Sequence, residues 1–582
     1  MDFFAQQQQA RQRTGLLVLL FVVAVGLILL LTNVLMVALL LPQISDSPAP
    51  QSWQQLGAQL SSSNGMVLTL ALLMVIATVI MIKWLALRGG GRKIAESIGG
   101  KRIQTNSQEF KQRQLLNVVE EMALAAGIAV PPVYLLADEH GINAFAAGHT
   151  PKDAVIGITQ GALEQLSRGQ LQGVIAHEFS HILNGDMRLN MRLIAVLSGI
   201  VVISHAGDLL LRTSGGRKNG NQAMLLGLAL LALGWIGALF ANLIKAAVNR
   251  QREYLADAAA VQFTRDPSTI AGALKMIAVS SGHSYLESAN AAQSSHMLFS
   301  SYRAFSSLLA SHPPIDKRIR AIEPNWNGRY AATVIKTQQR QQPVQQATAP
   351  EPKPAAHQAN ATAVIGAVLL AQLPNTLQQQ AREPADVTQL ALALIGDSTS
   401  RVAATISALT LKSQLTLLQL LLPTLTALSD RQQQQLLEQL QRCWQQQSIT
   451  LSRWCIYQLL LHYLNAPDTH APLIQATPKR NSASCHLLSL LACHGNDDPQ
   501  QQQRAFYRGS NSLGWYQAKF DPNVSWPQAA ADLITLRRTP PAKKQRLLLA
   551  FRQCAEQDGV INDDETALLH CLDLLLDAPA PQ

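Results

Sequence analysis

Cysteine is absent from the first 442 residues of this 582-residue chain, and all six cysteines follow from Cys443 onward. In a secreted domain, an even number of cysteines would predict a disulfide framework. The charge pattern described below places this part of the chain in the cytoplasm, where thiols stay reduced, so we expect free, buried cysteines. The segment "CHLLSLLACH" (485–494) predicts no metal site, because its two Cys-His pairs lie eight residues apart and do not share a helix face.

Charge is also scarce, at 14% of residues, and two long segments are almost free of it. A helix needs about 20 apolar residues to cross the hydrocarbon core of a bilayer. Residues 15–41 exceed this length, and residues 66–87 reach it if Lys83 extends its ammonium group to the interface. The first segment is far longer than the apolar core of about 7–15 residues in a cleaved signal peptide. Residues 1–105 are therefore predicted to be a membrane anchor with two spans.

Positive charge is in excess, at +10 overall, and much of it lies beside the apolar segments. Arg11 and Arg13 precede the first segment, and both Lys and Arg follow the second, whereas the 42–65 loop between them has neither. The positive-inside rule then predicts both ends in the cytoplasm and the 42–65 loop outside. Basic and aromatic residues are not interleaved as on an RNA-binding surface, so no nucleic-acid partner is expected.

Two further apolar segments, about 193–211 and 224–244, predict a hairpin inserted in the next domain. His205 and Asp208 interrupt the first segment, and if both segments cross, the basic loop between them lies outside, against the positive-inside rule. Ionisable groups inside a membrane are functional by default, but a segment that does not cross explains these two equally well. The sequence leaves open whether the hairpin crosses fully or enters and returns.

The composition changes twice beyond residue 335. Residues 336–361 are rich in Pro, Gln and Ala and are predicted to be a linker. Residues 362–582 have helical periodicity and predict a separate, all-helical domain. Near 545–575 this domain resembles a TerB-like or degenerate EF-hand helix–loop–helix, with Cys554 where a calcium loop has its first carboxylate. A structural turn or a partner-binding module is favoured there over a calcium site.

The segment "VIAHEFSHILNGD" (174–186) contains the spacing His-Glu-x-x-His on a helix predicted over 170–185. His177 and His181 lie one turn apart on the same helix face, so their imidazoles can share one Zn²⁺. Glu178 lies beside them and can reach a water at the open position of the metal as a general base. The alternative is an ordinary helix with two surface histidines. Short strands before the helix are typical of a zincin-type α+β domain, predicted here over 106–335.

A catalytic zinc ion needs a third protein ligand, and "NRQREYLADAAAVQF" (249–263) offers one in Glu253. Asp257, one turn later, can accept a hydrogen bond from a ligand imidazole. The alternative is a solvated acidic face, but the alanines around Asp257 are suited to close helix packing. If Glu253 meets the two histidines, the 193–244 insertion must begin and end on the same side of the membrane.

Four segments in this order, "INAFAAG", "HEFSHILNGD", "EYLAD" and "SHPPIDKRI", resemble the HtpX-like integral-membrane zinc metallopeptidases, relatives of the CAAX prenyl endopeptidases. The resemblance covers about residues 10–330 and implies a gluzincin fold that hydrolyses peptide bonds. It implies one zinc ion per chain, held by His177, His181 and Glu253, with Glu178 as the base. Family members work in bacterial inner membranes on misfolded or damaged membrane proteins.

The resemblance also implies a strand that pairs with an extended substrate by β-augmentation, which gives little sequence specificity. This strand comprises Asn143, Ala144, Phe145 and Ala146. In relatives, a histidine before proline lies near the zinc ion. His312 would then steady the developing oxyanion or occupy the open site, and the alternative is a loop histidine that caps the next helix. Asp186 either supports a ligand histidine or faces water at the helix end.

Together these observations predict a mostly α-helical membrane protein with a zincin-like α+β catalytic domain, transmembrane helices and an all-helical C-terminal domain. The predicted function is a zinc endopeptidase, multi-pass in the bacterial inner membrane, with its catalytic and C-terminal domains in the cytoplasm. Its expected partners are protein substrates and the lipid bilayer. A protein partner at the C-terminal domain and a homo-oligomer stay open.

Two other functions were weighed against this prediction. One is a non-catalytic membrane scaffold that recruits partners through its C-terminal domain, which the intact zinc set disfavours. The other is a prenyl-protein processing enzyme, which usually needs more spans than the four segments available here.

Overall fold

A computed structural model describes residues 3–42, 48–86, 90–213, 220–280, 312–330, 361–445, 450–464, 480–537, 539 and 541–576. This part of the chain is mostly α-helical and has one small sheet, which confirms the predicted fold class. The predicted linker, 336–361, lies outside the described residues except for its last residue.

Four of the described helices are long and apolar enough to cross a membrane. They are α1 (Phe3–Leu39), α3 (Ser63–Ala86), α8 (Asp186–Thr213) and α9 (Gly220–Thr264), and the short helix α2 (Trp53–Ser61) lies between the first two. Large apolar side chains on these helices are exposed, such as Leu70 (62%) and Trp235 (65%). Such a band of exposed apolar groups fits contact with lipid.

The hairpin of α8 and α9 contains both apolar segments of the predicted insertion. The interrupted segment 193–211 lies within one continuous helix of 28 residues. Asp208 forms an ion pair with Arg212 at 2.9 Å near the end of this helix, where both side chains are exposed. α9 has 45 residues and is about 68 Å long, more than twice the roughly 30 Å of a bilayer core. A large part of α9 therefore extends beyond any membrane that it crosses.

Four short strands form the sheet that precedes the motif helix. They are β1 (Lys101–Arg102), β2 (Val133–Leu136), β3 (Ala144–Ala147) and β4 (Val155–Thr159). Helix α4 (Gly90–Ser97) precedes β1, and helix α5 (Phe110–Ala126) lies between β1 and β2. The strand order is β1-β2-β4-β3, with β2 and β4 parallel and the two outer pairs antiparallel. β3 therefore lies at an edge. Phe145 of β3 covers Gly157 of β4, where any side chain would collide with its ring.

The motif helix is α7 (Arg168–Asn184), which follows the short α6 (Gln160–Gln165). Ser167 and Gln170 form a capping box at its start. Gly185 ends it at φ 67°, a left-handed conformation that glycine adopts without strain. α7 shares one core with α5, the sheet and α10 (Pro267–Ser280), and α11 (Ile315–Ile322) closes the peptidase domain. The observed bounds of α7 differ from the predicted 170–185 by two residues or fewer.

Helices alone form the described part of the C-terminal domain. They are α12 (Ala361–Ala371), α13 (Asn375–Arg382), α14 (Val387–Leu394), α15 (Ala403–Ser407), α16 (Leu411–Ala427), α17 (Asp430–Gln445), α18 (Leu451–Tyr463), α19 (Arg480–Gly495), α20 (Pro499–Ser512), α21 (Trp526–Arg537), α22 (Pro541–Ala555) and α23 (Asp563–Leu575). Their Leu-rich core also includes Leu124 and Ala129 of the peptidase domain. The C-terminal domain is therefore packed directly against the peptidase domain.

The last carboxylate of the loop between α22 and α23 is used within the fold. Glu565 accepts a hydrogen bond of 3.0 Å from the backbone N–H of Asn562, as part of a capping box. The residue at the last position of the resembled calcium loop therefore caps a helix. The six cysteines are free, as expected. The predicted burial is wrong for Cys443, Cys485 and Cys493, which are only half-buried.

Candidate metal centre

α7 and α9 bring three side chains to one point. The ligand atoms of His177, His181 and Glu253 all lie within 4.8 Å of one another. The two Nε2 atoms are 3.1 Å apart, and each lies 3.6 Å from one oxygen of Glu253. Ligand atoms about 2.1 Å from a tetrahedral ion lie roughly 3.4 Å apart, so this geometry fits a zinc ion. Among the described residues, no other group of His, Cys, Asp and Glu has this arrangement.

Each ligand histidine has a carboxylate behind it. Nδ1 of His177 lies 3.0 Å from Asp257, and Nδ1 of His181 lies 2.8 Å from Asp186. A carboxylate on Nδ1 fixes the tautomer in which Nε2 is the free ligand atom and holds the ring in orientation. Asp257 and Asp186 therefore each lie behind a ligand histidine, which is the position that the sequence suggested for them. For Asp186, the alternative was a helix end that faces water.

The two histidines are neutral around pH 7. Burial lowers the pKa of His177 and of His181 to about 4. A neutral imidazole has the lone pair that a metal needs, so no proton has to leave the rings before a metal binds at neutral pH. His177 is fully buried, which excludes the alternative of two surface histidines.

Glu178 lies on the same turn of α7 and is 1% exposed. Burial and the neighbouring Glu253 raise the pKa of Glu178 well above its ordinary value, whereas a hydrogen bond from the backbone N–H of Ala146 lowers it. A carboxyl with a raised pKa is a better proton acceptor. α7, which carries Glu178, packs against the edge strand β3.

His312 lies in the centre and does not cap the following helix. Its Nδ1 is 3.0 Å from Glu253, and the side chain is 5% exposed. α11 begins at Ile315 after Pro314, whose side chain makes no capping hydrogen bond. His312 is thus close enough to touch a substrate atom or a metal held by Glu253.

The segment 143–146, predicted to bind substrate, lies at an edge of the sheet, and its last three residues belong to β3. β3 pairs with β4 on one side, and no other described strand pairs with its second edge. Asn143 has a different structural role: its backbone N–H donates to the Thr159 hydroxyl at 2.9 Å, and its side chain accepts from the N–H of Ala144. Asn143 therefore fixes the turn that starts the strand.

Two arginines in the centre were missed by the sequence reasoning. Arg318 is 1% exposed and lies 2.7 Å and 2.8 Å from the two oxygens of Asp257, and 3.2 Å from Glu253. Arg252 forms an ion pair with Asp186. Both lie inside segments quoted above, six residues after His312 and directly before Glu253. Nothing in their spacing marks them as part of the centre, because their partners Asp257 and Asp186 lie on helices or turns distant from them in sequence.

The sequence profile of peptidase family M48 matches residues 109–325. Three similar proteins are each named Protease HtpX homolog. That of Caldanaerobacter subterraneus subsp. tengcongensis is 36% identical over 256 residues, which are 42% of this chain and 81% of the relative. That of Dictyoglomus turgidum is 40% identical, over 36% of this chain and 68% of the relative. That of Ligilactobacillus salivarius is 37% identical, over 38% of this chain and 76% of the relative. No solved structure gave a significant match.

Proposed function

The chain belongs to the HtpX-like proteases of peptidase family M48, and on that premise we propose that this membrane metalloprotease is a zinc endopeptidase. Its substrates in this proposal are misfolded or damaged membrane proteins. The observation that carries the proposal is the convergence of His177, His181 and Glu253 within 4.8 Å, with Glu178 buried beside them. One zinc ion per chain would be held by these three ligands, which leaves one position of a tetrahedral ion open.

Proton transfer is assigned to Glu178. A bound zinc ion would polarise the scissile carbonyl and make a water more acidic. Glu178 would take the proton of the attacking water and pass it to the leaving amine, a role that its raised pKa supports. Asp257 and Asp186 would hold the two ligand rings in place throughout.

His312 is assigned to the developing oxyanion. Its Nδ1 lies 3.0 Å from Glu253, and the residue precedes α11 by three positions. A donor in this position would stabilise charge that appears on the carbonyl oxygen only in the transition state. The same position would also let the ring occupy the open site while no substrate is bound.

Substrate binding is assigned to the free edge of β3. An extended chain that pairs with Ala144–Ala146 would receive main-chain hydrogen bonds, whatever its side chains. Since α7 packs against β3, the paired substrate would lie next to the proposed base on α7. This mode suits unfolded segments of many sequences, which is the material that a damaged membrane protein exposes.

We assign the catalytic and C-terminal domains to the cytoplasm and the spans to a multi-pass anchor in the bacterial inner membrane, and the charge pattern supports this assignment. The loop 42–65 has no Lys or Arg, and basic residues surround both of its spans on the other side. α8 starts at Asp186 and α9 contains Glu253, both at the metal centre, so the hairpin would return to the side from which it started.

Cleavage of an unfolded protein by the detergent-purified full chain tests this function. With zinc supplied, we expect casein to be cut at internal bonds into a ladder of peptides. A strong chelator should stop the reaction, and excess zinc should restore it. Release of single amino acids from one end would contradict an endopeptidase. Full activity in the presence of the chelator would contradict a zinc enzyme.

A further inference from the structure

The C-terminal domain has a cavity of about 270 Å³ that lies apart from the metal centre. It opens where α19, α21 and α22 meet the end of α20. Its apolar wall consists of Leu513, Trp515, Leu536 and Leu547. Lys543 and Arg546 line the same cavity, and no Asp or Glu does. The cavity thus combines an apolar surface with positive charge alone.

The two cations are available to a ligand. Lys543 and Arg546 are three residues apart on α22, so they are neighbours on one helix face, and both side chains are exposed. Neither forms an ion pair or a hydrogen bond with another residue that the structure describes. The segment 537–546, "RRTPPAKKQR", has five basic residues and no acidic one. This potential attracts an anion, and no side chain of the cavity neutralises it.

The inner part of the cavity has an unpaired polar group. Thr539 lines it and is 6% exposed, and its hydroxyl has no hydrogen-bond partner among the described residues. Its backbone N–H is already used, because it donates to Leu536 at 2.9 Å. A buried hydroxyl without a hydrogen-bond partner is unfavourable. A ligand that brings a polar atom next to its apolar part would remove this cost.

We propose that this cavity binds the carboxyl terminus of a polypeptide whose last residue is apolar. The terminal carboxylate matches Lys543 and Arg546, the last side chain matches the Leu and Trp wall, and a main-chain amide is available to Thr539. Capture of a terminal carboxylate is a recurrent mode of peptide recognition. The volume lies just below the roughly 300–1,000 Å³ of sites for drug-sized ligands, so it suits one or two residues and excludes the two acyl chains of a phospholipid.

The inference rests on the proposed function for its source of ligand. Every protein substrate has a carboxyl terminus, and every endoproteolytic cut produces a new one. The C-terminal domain would then hold substrates by their ends, while the edge strand β3 binds the segment to be cut.

Peptide binding to the full-length Glu178→Gln protein, zinc-loaded in detergent, tests the inference. The probe is a fluorescein-labelled hexapeptide that ends in phenylalanine, with a free carboxylate or with a terminal amide, followed by fluorescence anisotropy. We expect the acid to bind at least tenfold more tightly than the amide. Lys543→Ala with Arg546→Ala should remove this preference. Arg504→Ala with Lys519→Ala deletes two exposed cations of the same domain outside the cavity and should leave it unchanged.

Equal affinity for acid and amide would overturn the inference, and so would an unchanged preference in the Lys543→Ala, Arg546→Ala protein. Phosphatidylglycerol vesicles that bind through these two cations, in a protein that ignores the peptide, would overturn it in favour of a lipid headgroup. Loss of peptide binding with intact casein cleavage by the wild-type protein refutes this inference alone. Intact peptide binding without casein cleavage refutes the proposed function alone.

Discussion

Arg318 balances the buried negative charge of the metal centre. It contacts both oxygens of Asp257 and one oxygen of Glu253, and it is 1% exposed. Asp257 in turn lies against the Nδ1 of His177. A buried carboxylate that loses its cation is left with an uncompensated charge, which costs several kcal/mol in a folded protein. Arg318 therefore supports the ligand set without being a ligand.

We expect Arg318→Ala to destabilise the zinc-free protein by about 3–5 kcal/mol, because two carboxylates lose their buried partner. Thermal unfolding in detergent measures the loss. The matched control is Arg320→Ala on the same helix, whose side chain is exposed and stacks over Trp326. Equal unfolding temperatures for the two variants would show that Arg318 does not stabilise the protein by neutralising the buried carboxylates.

At the residue scale, the predictable part of the centre is the part whose geometry is local. His177, Glu178 and His181 share one helix, so their spacing alone predicts how they face one another. Asp257 could be proposed because it lies one turn from Glu253. Arg318 could not, because its partner Asp257 is 61 residues away and joins it only through tertiary packing.

At the scale of elements, α5 connects the C-terminal domain to the motif helix. Glu120 pairs with Arg382 of α13, with Nε and Oε1 3.1 Å apart, and Glu121 lies 2.7 Å from Arg168 at the start of α7. Successive residues of a helix point about 100° apart, so adjacent glutamates can face two different neighbours. α12 also lies directly on α5, since a side chain at Gly366 would collide with the carbonyl of Glu121.

Breaking the pair between α5 and α13 should loosen the C-terminal domain. We expect Arg382→Ala to cost about 3–5 kcal/mol, because Glu120 stays buried without a partner. The double variant Arg382→Met, Glu120→Leu removes both charges and should recover most of the loss. Thermal unfolding and limited proteolysis at the interface measure the loss of stability in Arg382→Ala and its recovery in the double variant.

Arg401→Ala, which removes an exposed arginine of the same domain, serves as the control. A double variant that is as unstable as Arg382→Ala would contradict a role for buried charge at this interface.

The sequence predicts elements well where caps and apolar periodicity mark them, as for α7 between Ser167 and Gly185. It does not predict how these elements meet. Glu120 and Arg382 are 262 residues apart, and each alone is indistinguishable from a solvated surface charge. For this reason the sequence predicted a separate C-terminal domain but not its contact with α5.

At the scale of the whole molecule, the proposed function depends on membrane orientation. The charge pattern predicts the 42–65 loop outside and both large domains inside. The basic loop within 193–244 argued from sequence against a complete hairpin. The continuous helices of α8 and α9, both joined to the metal centre, bring the chain back to the peptidase domain whatever the charge of that loop.

Thiol labelling of intact cells tests this orientation. All native cysteines lie from Cys443 onward, so the wild-type protein should resist a membrane-impermeant maleimide until the cells are lysed. Ala58→Cys adds an exposed thiol to α2 in the 42–65 loop and should react in intact cells. Labelling of the wild-type protein in intact cells would place the C-terminal domain outside and contradict the account.

The most direct test of the central claim is to measure the zinc content and the casein cleavage of one preparation of Glu178→Gln. Glu178 is proposed as the base and not as a ligand, so the variant should keep one zinc ion per chain. Its cleavage rate should fall by about 10²–10⁴-fold, the usual contribution of general acid–base catalysis. Loss of zinc together with activity would mean that Glu178 holds the metal site together, and full activity with zinc bound would mean that another group moves the proton. Either result would contradict the account.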